Sequence, residues 1–309
     1  MRKLVAPAIG AIATVVLLAV PMAQAKSKWA DIRVVTSSGQ TLADHRQYTE
    51  DVKVKASEDA GCFGESNPSS NDSYKVDNPT TLGTLIDASK ADDDLRPLLI
   101  TDAFFGEFGS FGVCGVDSFV GSATFGEEYW YNAVNGAGAT AGPNQIPVEN
   151  GDEHLWYFAT GAESSIAELR VETPYKVDAD DPFEVEVTRL LANGSTEPAV
   201  GVDVTQASAP TDAQGKTTVE VAAGFWSLIA TGESDDVFSK TAEICAEDSG
   251  LDCPEGAPLT TVGSPSDDKI KTTKGVDTID CGKGRDVVLK RKGEKGDDVA
   301  SDCEKVKRA

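Results

Sequence analysis

Two aromatic segments joined through tight-turn signals constrain the fold of this chain more than any other feature. The segments span residues 129–134 and 154–158. Asn-Gly and Gly-Asp pairs lie between them and supply the positive backbone dihedral angles that tight turns need. The stretch is therefore predicted to form two strands with a turn near each. The turn-forming residues are Asn135, Gly136, Gly151 and Asp152.

Residues 1–25 have the features of a secretory signal peptide. Arg2 and Lys3 precede an apolar run, and small residues end it at a cleavage-like site. The run is shorter than the ~20 apolar residues that span a bilayer, so a membrane anchor is the weaker alternative. The mature protein is predicted to begin near Lys26 and to be secreted, either extracellular or at the cell surface. No stable membrane insertion is expected after signal cleavage.

The six cysteines all follow the signal segment and fall into three successive pairs. An even number of cysteines in an exported chain favours disulfides. Zinc binding is the alternative, but there is no Cys-x-x-Cys motif and the chain has only two histidines. The predicted disulfides are Cys62–Cys114, Cys245–Cys253 and Cys281–Cys303.

The chain is strongly acidic, with a formal net charge of −23 at pH 7. Such a body repels nucleic acid and anionic lipid, so neither is an expected partner. The simplest consequence of the charge is solubility. Calcium-dependent charge screening outside the cell is the alternative.

Residues 26–160 are predicted to form a small α+β head. Segments 32–35 and 52–55 are short and β-branched, which is typical of strands. The polar segment between them, with His45, is interpreted as a loop or hairpin. A helix is predicted to open at Asn78, because asparagine is a good N-cap and the following proline suits the first helical position.

The aromatic strands of this head resemble a known family. The residues that carry the resemblance are Trp130-Tyr131, Asn135-Gly136, Gly142, Gly151-Asp152 and Trp156-Tyr157. They are similar to the signature of the transcobalamin-like C-terminal domain family, in which a tryptophan-containing strand ends in an Asn-Gly turn and a Gly-Asp turn leads into a last aromatic strand. The resemblance implies a β-grasp-like fold. In transcobalamin the related domain helps to enclose a corrinoid, an activity that likeness of fold does not transfer.

The same strands supply the candidate ligand-binding residues. Successive strand residues face opposite sides, and a one-layer sheet buries only the face beneath its helix. Some rings are therefore predicted to stay uncovered and to stack on an unknown small molecule, a glycan or a surface partner. The alternative is that the rings serve the core. The candidates are Trp130, Tyr131, Trp156 and Tyr157.

Residues 165–246 are predicted to form an antiparallel β-sandwich. Six short strand-like segments recur between turn signals, and in 183–188 apolar and polar residues alternate. Segments 198–204, 211–216 and 223–231 resemble carboxypeptidase regulatory-like or bacterial immunoglobulin-like modules, which implies a spacer. Residues 247–263, rich in proline and glycine and holding a short disulfide loop, are interpreted as a linker.

Residues 264–309 contain a degenerate nine-residue repeat. Its aspartates are spaced nine residues apart, and an aliphatic residue follows each of them at the second position. The pattern resembles the haemolysin-type calcium-binding repeats, which implies a short β-roll-like tail with calcium as a possible cofactor. Most turn glycines are missing and lysines occupy turn positions, so a disulfide-stapled cap without calcium is favoured. The candidate metal ligands are Asp268, Asp277 and Asp286.

The chain as a whole is thus predicted to be mainly β, with a small α+β head, a sandwich and a roll-like tail. His45 and His154 have no Gly-x-Ser-x-Gly elbow to serve, and no phosphate-binding loop is present. The leading hypothesis is a secreted, non-enzymatic binding or surface-interaction protein that uses the aromatic strand face. The alternatives are an extracellular calcium-binding protein and a hydrolase with an unrecognised site.

Overall fold

The computed structural model describes residues 27–124, 127–160, 166–232, 236–291 and 296–308. Strands make up 45% of the chain and helices 7%, which confirms the mainly β class. The predicted signal peptide lies outside the described residues. Within the described ranges, no helix has the length and apolar character needed to cross a membrane.

The head consists of one large sheet, one main helix and two small sheets. Its strands are β1 (Lys28–Val35), β2 (Thr41–Thr49), β3 (Val52–Lys55), β4 (Ser73–Val76), β5 (Leu98–Thr101), β6 (Gly112–Val116), β7 (Phe119–Val120), β8 (Glu128–Val134), β9 (Ala137–Gly138) and β10 (Asp152–Thr160). Its helices are α1 (Thr81–Ala91), a 3-10 turn (Asp93–Leu95) and the one-turn α2 (Phe105–Phe108).

The head strands of the large sheet follow the order β2-β1-β10-β8-β9. The first and last long strands, β1 and β10, are parallel neighbours at its centre, with Ile32 opposite His154. Strands β2 and β8 flank them in antiparallel pairs. Helix α1 packs its leucines against one face of this sheet. Helix α1 therefore covers one face of a sheet whose two central strands are parallel.

One local prediction in the head is wrong, and one open alternative is decided. The helix begins at Thr81, and the Thr80 hydroxyl caps it by accepting a hydrogen bond from the Gly83 amide at 3.1 Å. Asn78 instead has a left-handed backbone (φ 71°), outside the helix. His45 lies inside β2 and is buried; β2 pairs antiparallel with β1, so this segment is the hairpin of the two alternatives, not the loop.

The second unit consists of short strands in small sheets around one apolar core. Its strands are β11 (Ala167–Glu172), β12 (Lys176–Asp178), β13 (Phe183–Leu191), β14 (Thr196–Pro198), β15 (Asp203–Val204), β16 (Lys216–Val219), β17 (Gly224–Leu228), β18 (Ala230–Thr231), β19 (Asp236–Val237) and β20 (Ala242–Glu247). Most pairs are antiparallel, but β11 with β19 and β12 with β20 are parallel. Alternating β13 residues Val185 and Val187 are fully buried, as the alternation predicts.

The tail winds into two parallel ladders with a repeat of two nine-residue segments. One ladder contains β21 (Thr260–Val262), β23 (Thr278–Asp280) and β25 (Asp298–Val299); the other contains β22 (Lys269–Lys271), β24 (Val287–Lys290) and β26 (Lys305–Arg308). The repeat aliphatics Ile270, Ile279 and Val288 lie between the ladders and are buried. The nine-residue period thus places alternate segments on opposite walls of a roll.

The predicted linker 247–263 is not only a linker. Its strand β21 pairs in parallel with β2, so that the first tail ladder continues the sheet of the head. Tyr48 on β2 also joins the apolar core of the roll. The tail therefore covers an edge of the head sheet that would otherwise expose unpaired backbone groups.

All three predicted disulfides are present. Cys62–Cys114, Cys245–Cys253 and Cys281–Cys303 are bonded, and the described residues include no free cysteine. Three disulfides indicate an oxidising compartment.

The second unit contacts the head through the Asn135-Gly136 turn. A Cβ placed on Gly136 would lie 1.8 Å from Leu190 Cδ2 of the second unit. The Gly138 amide also donates to the Ala192 carbonyl at 3.0 Å. Glycine is thus required at 136 both by its positive φ and by close packing.

A matched pair of glycines tests this contact. Gly136 and Gly194 each follow an asparagine and have φ of 78° and 81°, but no atom lies within 4 Å of a Cβ added at Gly194. Gly194→Ala should cost about 1 kcal/mol of unfolding free energy, from backbone strain alone. Gly136→Ala should cost about 1–3 kcal/mol more, because it also collides with Leu190. Equal losses in urea unfolding would contradict the close approach.

Candidate functional site

The four aromatic residues predicted to bind a ligand are all buried. Trp130, Tyr131, Trp156 and Tyr157 expose 8%, 5%, 1% and 3% of their surfaces. The prediction that some of these rings form an open stacking face is therefore wrong.

The sheet has two covered faces, which explains this burial. Trp130 and Trp156 pack in the core beneath α1. Tyr131 and Tyr157 point to the opposite face, where they pack with Ile166 and others of the second unit. The prediction failed because it treated the head as a one-layer domain, whereas the second unit supplies a second layer.

The predicted turn residues are joined by hydrogen bonds where β8 ends and β10 begins. Asn135 and Gly136 both have positive φ, and so does Gly151. The Asn135 side chain donates to Asp152 Oδ1 at 2.9 Å and accepts from the Glu153 amide at 2.9 Å. The Glu149 amide donates to Asp152 Oδ2 at 2.7 Å. Their role is structural, as predicted.

A cleft of about 320 Å³ opens between the head sheet and the second unit. Charged side chains of β1, β2 and β10 line one wall, and side chains of β11 and the segment before β20 line the other. The charged lining residues are Asp31, Arg33, Asp44, Glu153, Glu168, Arg170, Glu172 and Lys240. Its volume lies at the lower end of the range for small-molecule sites.

Most acids of the cleft already have a basic partner. Across the boundary between the units, Lys240 pairs with Asp44 at 3.2 Å and Arg170 Nη2 pairs with Glu153 at 2.6 Å. Asp31 pairs with Arg46 at 3.0 Å. The carboxylates are therefore largely neutralised by fixed cations.

Arg33 differs from the other bases of the cleft because neither Nη1 nor Nη2 of its guanidinium has a hydrogen-bond partner among the described residues. The residue is only 6% exposed. Its nearest anion is Glu168, with 3.2 Å between Nη2 and Oε1, and burial lowers the pKa of the guanidinium. Arg170 lies 3.5 Å from the other Glu168 oxygen and also has an unpartnered buried Nε. Two guanidinium groups thus share one carboxylate and keep spare donors.

Sequence reasoning missed this pair of arginines, although a signal was present. Arg33 interrupts the β-branched segment 32–35, where an unbroken apolar run would be expected of a strand covered on both faces. Arginine is almost never fully buried unless it is paired with an opposite charge. An arginine in such a strand therefore indicates a partner in the facing layer. Only the facing unit identifies that partner as Glu168.

The two histidines do not form a catalytic pair with a nucleophile. His45 Nε2 bonds Gln47 Oε1 at 3.1 Å. Neither ring nitrogen of buried His154 has a hydrogen-bond partner among the described residues. Burial lowers the pKa of both histidines, that of His154 to about 4. At neutral pH both are uncharged core residues.

The predicted calcium ligands of the tail act as acceptors for backbone amides. Asp268 Oδ2 accepts from the Ser264 amide at 2.6 Å, and Asp286 Oδ1 accepts from the Asp268 amide at 2.7 Å. Glu304 repeats the contact on the Asp286 amide at 2.6 Å. These carboxyl groups form a column spaced by eighteen residues.

The third candidate, Asp277, belongs to the opposite wall. It accepts from the Thr273 hydroxyl at 2.7 Å and from the Leu259 amide at 3.2 Å. Asp297 in turn accepts from the Asp277 amide at 3.2 Å. The three predicted ligands therefore cap backbone groups on two different walls.

This donor set does not fit a calcium cage. Calcium takes 6–8 oxygen ligands, and within the described ranges no group of three or more His, Cys, Asp or Glu side chains is placed to hold a metal ion. One observation leans the other way: Asp286 Oδ2 is buried without a hydrogen-bond partner. Burial, with Asp268 and Glu304 nearby, raises the pKa of Asp286 to about 6.

Comparison of the chain with family models, curated proteins and solved structures finds no match to any of them. The likenesses to transcobalamin-like and carboxypeptidase regulatory-like domains remain expectations from the sequence.

The Asp286→Asn variant tests the capping role against calcium binding. The folded pKa lies above the unfolded value of about 3.9, so the stability linked to this carboxyl is full near pH 4 and is lost as pH rises through about 6. In EDTA at pH 7.5 the variant should therefore be more stable than the parent, by up to about 3 kcal/mol for a pKa raised by about two, while the two converge below about pH 4. Asp203→Asn, at an exposed position of β15, is the control.

The calcium alternative predicts a different result. If calcium is bound through Asp286, millimolar calcium should raise the melting temperature of the parent and not that of Asp286→Asn. We expect no calcium-dependent shift in either protein by calorimetry.

His154 should make the protein sensitive to acid. Its folded pKa of about 4 lies below the unfolded value of about 6.5. The linked stability is full above pH 6.5 and is lost as pH falls through about 4, in total about 3 kcal/mol. The stability contributed by Asp286 changes with pH in the opposite direction between pH 4 and 6. His154→Leu must therefore be compared with its parent by urea unfolding at pH 7.5 and at pH 4.5. A difference that does not change with pH would contradict the buried neutral state.

Proposed function

We propose that this chain is an exported, non-enzymatic binding protein whose ligand is a small molecule carrying a carboxylate or similar oxyanion. The single observation that carries this proposal is the buried Arg33 guanidinium, which has spare donors in the cleft between two units. Export is supported by the signal-like start of the sequence and by the three disulfides.

The charges of the cleft favour an anion locally despite the acidic body. Rim acids are engaged by Lys240, Arg46 and Arg170. Arg33 and Arg170 lie on either side of Glu168 and together have more donors than this one carboxylate can accept. A guanidinium matches a carboxylate with two parallel hydrogen bonds, which are strong in a low-dielectric site. A ligand oxyanion would satisfy the donors that Glu168 leaves over.

The test is titration of the full mature chain with succinate, sulfate and the neutral analogue succinamide. Succinate or sulfate should bind, and succinamide should not. Arg33→Gln should weaken anion binding about tenfold or more, since a charge-assisted hydrogen bond is lost. Arg285→Gln is the matched control, because the exposed Arg285 pairs with Asp267 in the tail and does not line the cleft; it should leave binding unchanged.

Glu168→Gln separates a binding role from a purely structural one. Removing the competing carboxylate should tighten anion binding by about three- to tenfold. A structural ion pair predicts no gain. Thermal unfolding of each variant shows whether it is folded. Failure of the parent to bind either anion at millimolar concentration, or equal affinity in the parent and Arg33→Gln, would overturn the proposal.

A further inference from the structure

Three phenylalanines form a partly open aromatic surface on the head, and none of them lines the cleft. Phe63 and Phe104 are in edge-to-face contact, with ring centroids 4.8 Å apart, and Phe104 lies 6.3 Å from Phe108. Phe108 is 60% exposed, while Phe63 and Phe104 are half-buried. We call Phe63, Phe104 and Phe108 the outer aromatic triad. Among the phenylalanines of residues 104–119, only Phe111 is fully buried.

The backbone under the triad is held in place. Phe63 follows Cys62, which is bonded to Cys114, and the Phe63 carbonyl accepts from Asn67 Nδ2 at 3.1 Å. On the other side, the Phe108 carbonyl accepts from Gln145 Nε2 at 2.8 Å. The exposed rings are therefore presented on a fixed surface, so that a partner would meet little ordering cost.

The segments of the chain that supply the triad, 56–74 and 97–124, contain acidic residues but no lysine or arginine. The next basic residue after Arg96 is Arg170. Glu65 and Glu107 are close to the triad in sequence and both are exposed. An aromatic surface of this kind attracts a cation through the ring faces, and nearby carboxylates add to the attraction.

We infer that the outer aromatic triad is a docking surface for an arginine-containing basic segment of a partner protein. Arginine fits better than lysine, because its planar guanidinium stacks on aromatic rings while its edge still donates to carboxylates. This inference is independent of the proposed anion site, which lies between the head and the second unit and involves other residues.

The experiment uses the full mature chain and an end-capped Gly-Arg repeat peptide of eight residues in 150 mM salt. The same peptide with citrulline at each arginine is the neutral control for shape. The arginine peptide should bind and the citrulline peptide should not. Phe108→Ala should weaken binding about three- to fivefold, in line with one lost cation–π contact. Phe225→Ala is the matched control, since Phe225 is 59% exposed on the second unit; it should have no effect.

A result in which Phe108→Ala and Phe225→Ala bind equally well would overturn the inference and assign binding to the general acidity of the chain. Absence of binding by the parent at millimolar peptide would overturn it as well. Glu107→Gln adds a second readout, because it should weaken binding without removing a ring. Near-equal affinity of the arginine peptide and its citrulline form would exclude recognition of the cation.

Discussion

The parallel pairing of β1 with β10 at the centre of the head sheet is the interaction on which the rest of the structure depends. This pair brings the start of the chain beside the last aromatic strand of the head, and every other strand of the sheet is added outward from it. Parallel strands at the centre of a sheet are normally covered on both faces. Here α1 covers one face and the second unit the other, while the tail closes the edge at β2. The three units thus form one interdependent assembly.

The second layer also creates the candidate site. Where its apolar contacts end, charged residues from both sides face one another, and they form a cleft instead of a sealed interface. Ion pairs that cross between the units neutralise most of the acids. A buried arginine with spare donors is costly unless something satisfies it. That cost is the physical reason to place Arg33, and not the buried aromatic strands, at the centre of the binding site proposed above.

The tail also has polar groups that need partners, and it satisfies its backbone amides with carboxyl groups. Parallel turns of a roll leave backbone amides at their corners, and a carboxyl from the following turn accepts from them. A calcium-loaded roll would direct the same side chains to the ion. In this chain the carboxyl column and the Cys281–Cys303 bond link successive turns of the tail. Burial, together with the neighbouring carboxylates, raises the pKa of Asp286, which is why its titration is expected to affect stability.

Local signals in the sequence determined the two aromatic strands, the tight turns, the nine-residue repeat and the disulfide pairs. The strands and the repeat are recognised by the spacing of their apolar residues, and the turns by their glycines and asparagines, which are all short-range signals. The disulfides follow from pairing the cysteines in the order in which they occur. Sequence did not reveal that β21 joins β2, because a three-residue strand gives little signal of its own. It also could not place the rings of Trp130 and Tyr131, since alternation assigns them to opposite faces without saying what covers each face. Only the tertiary structure decided that both faces are covered and that Arg33 meets Glu168, because burial and charge pairing depend on which layer lies opposite.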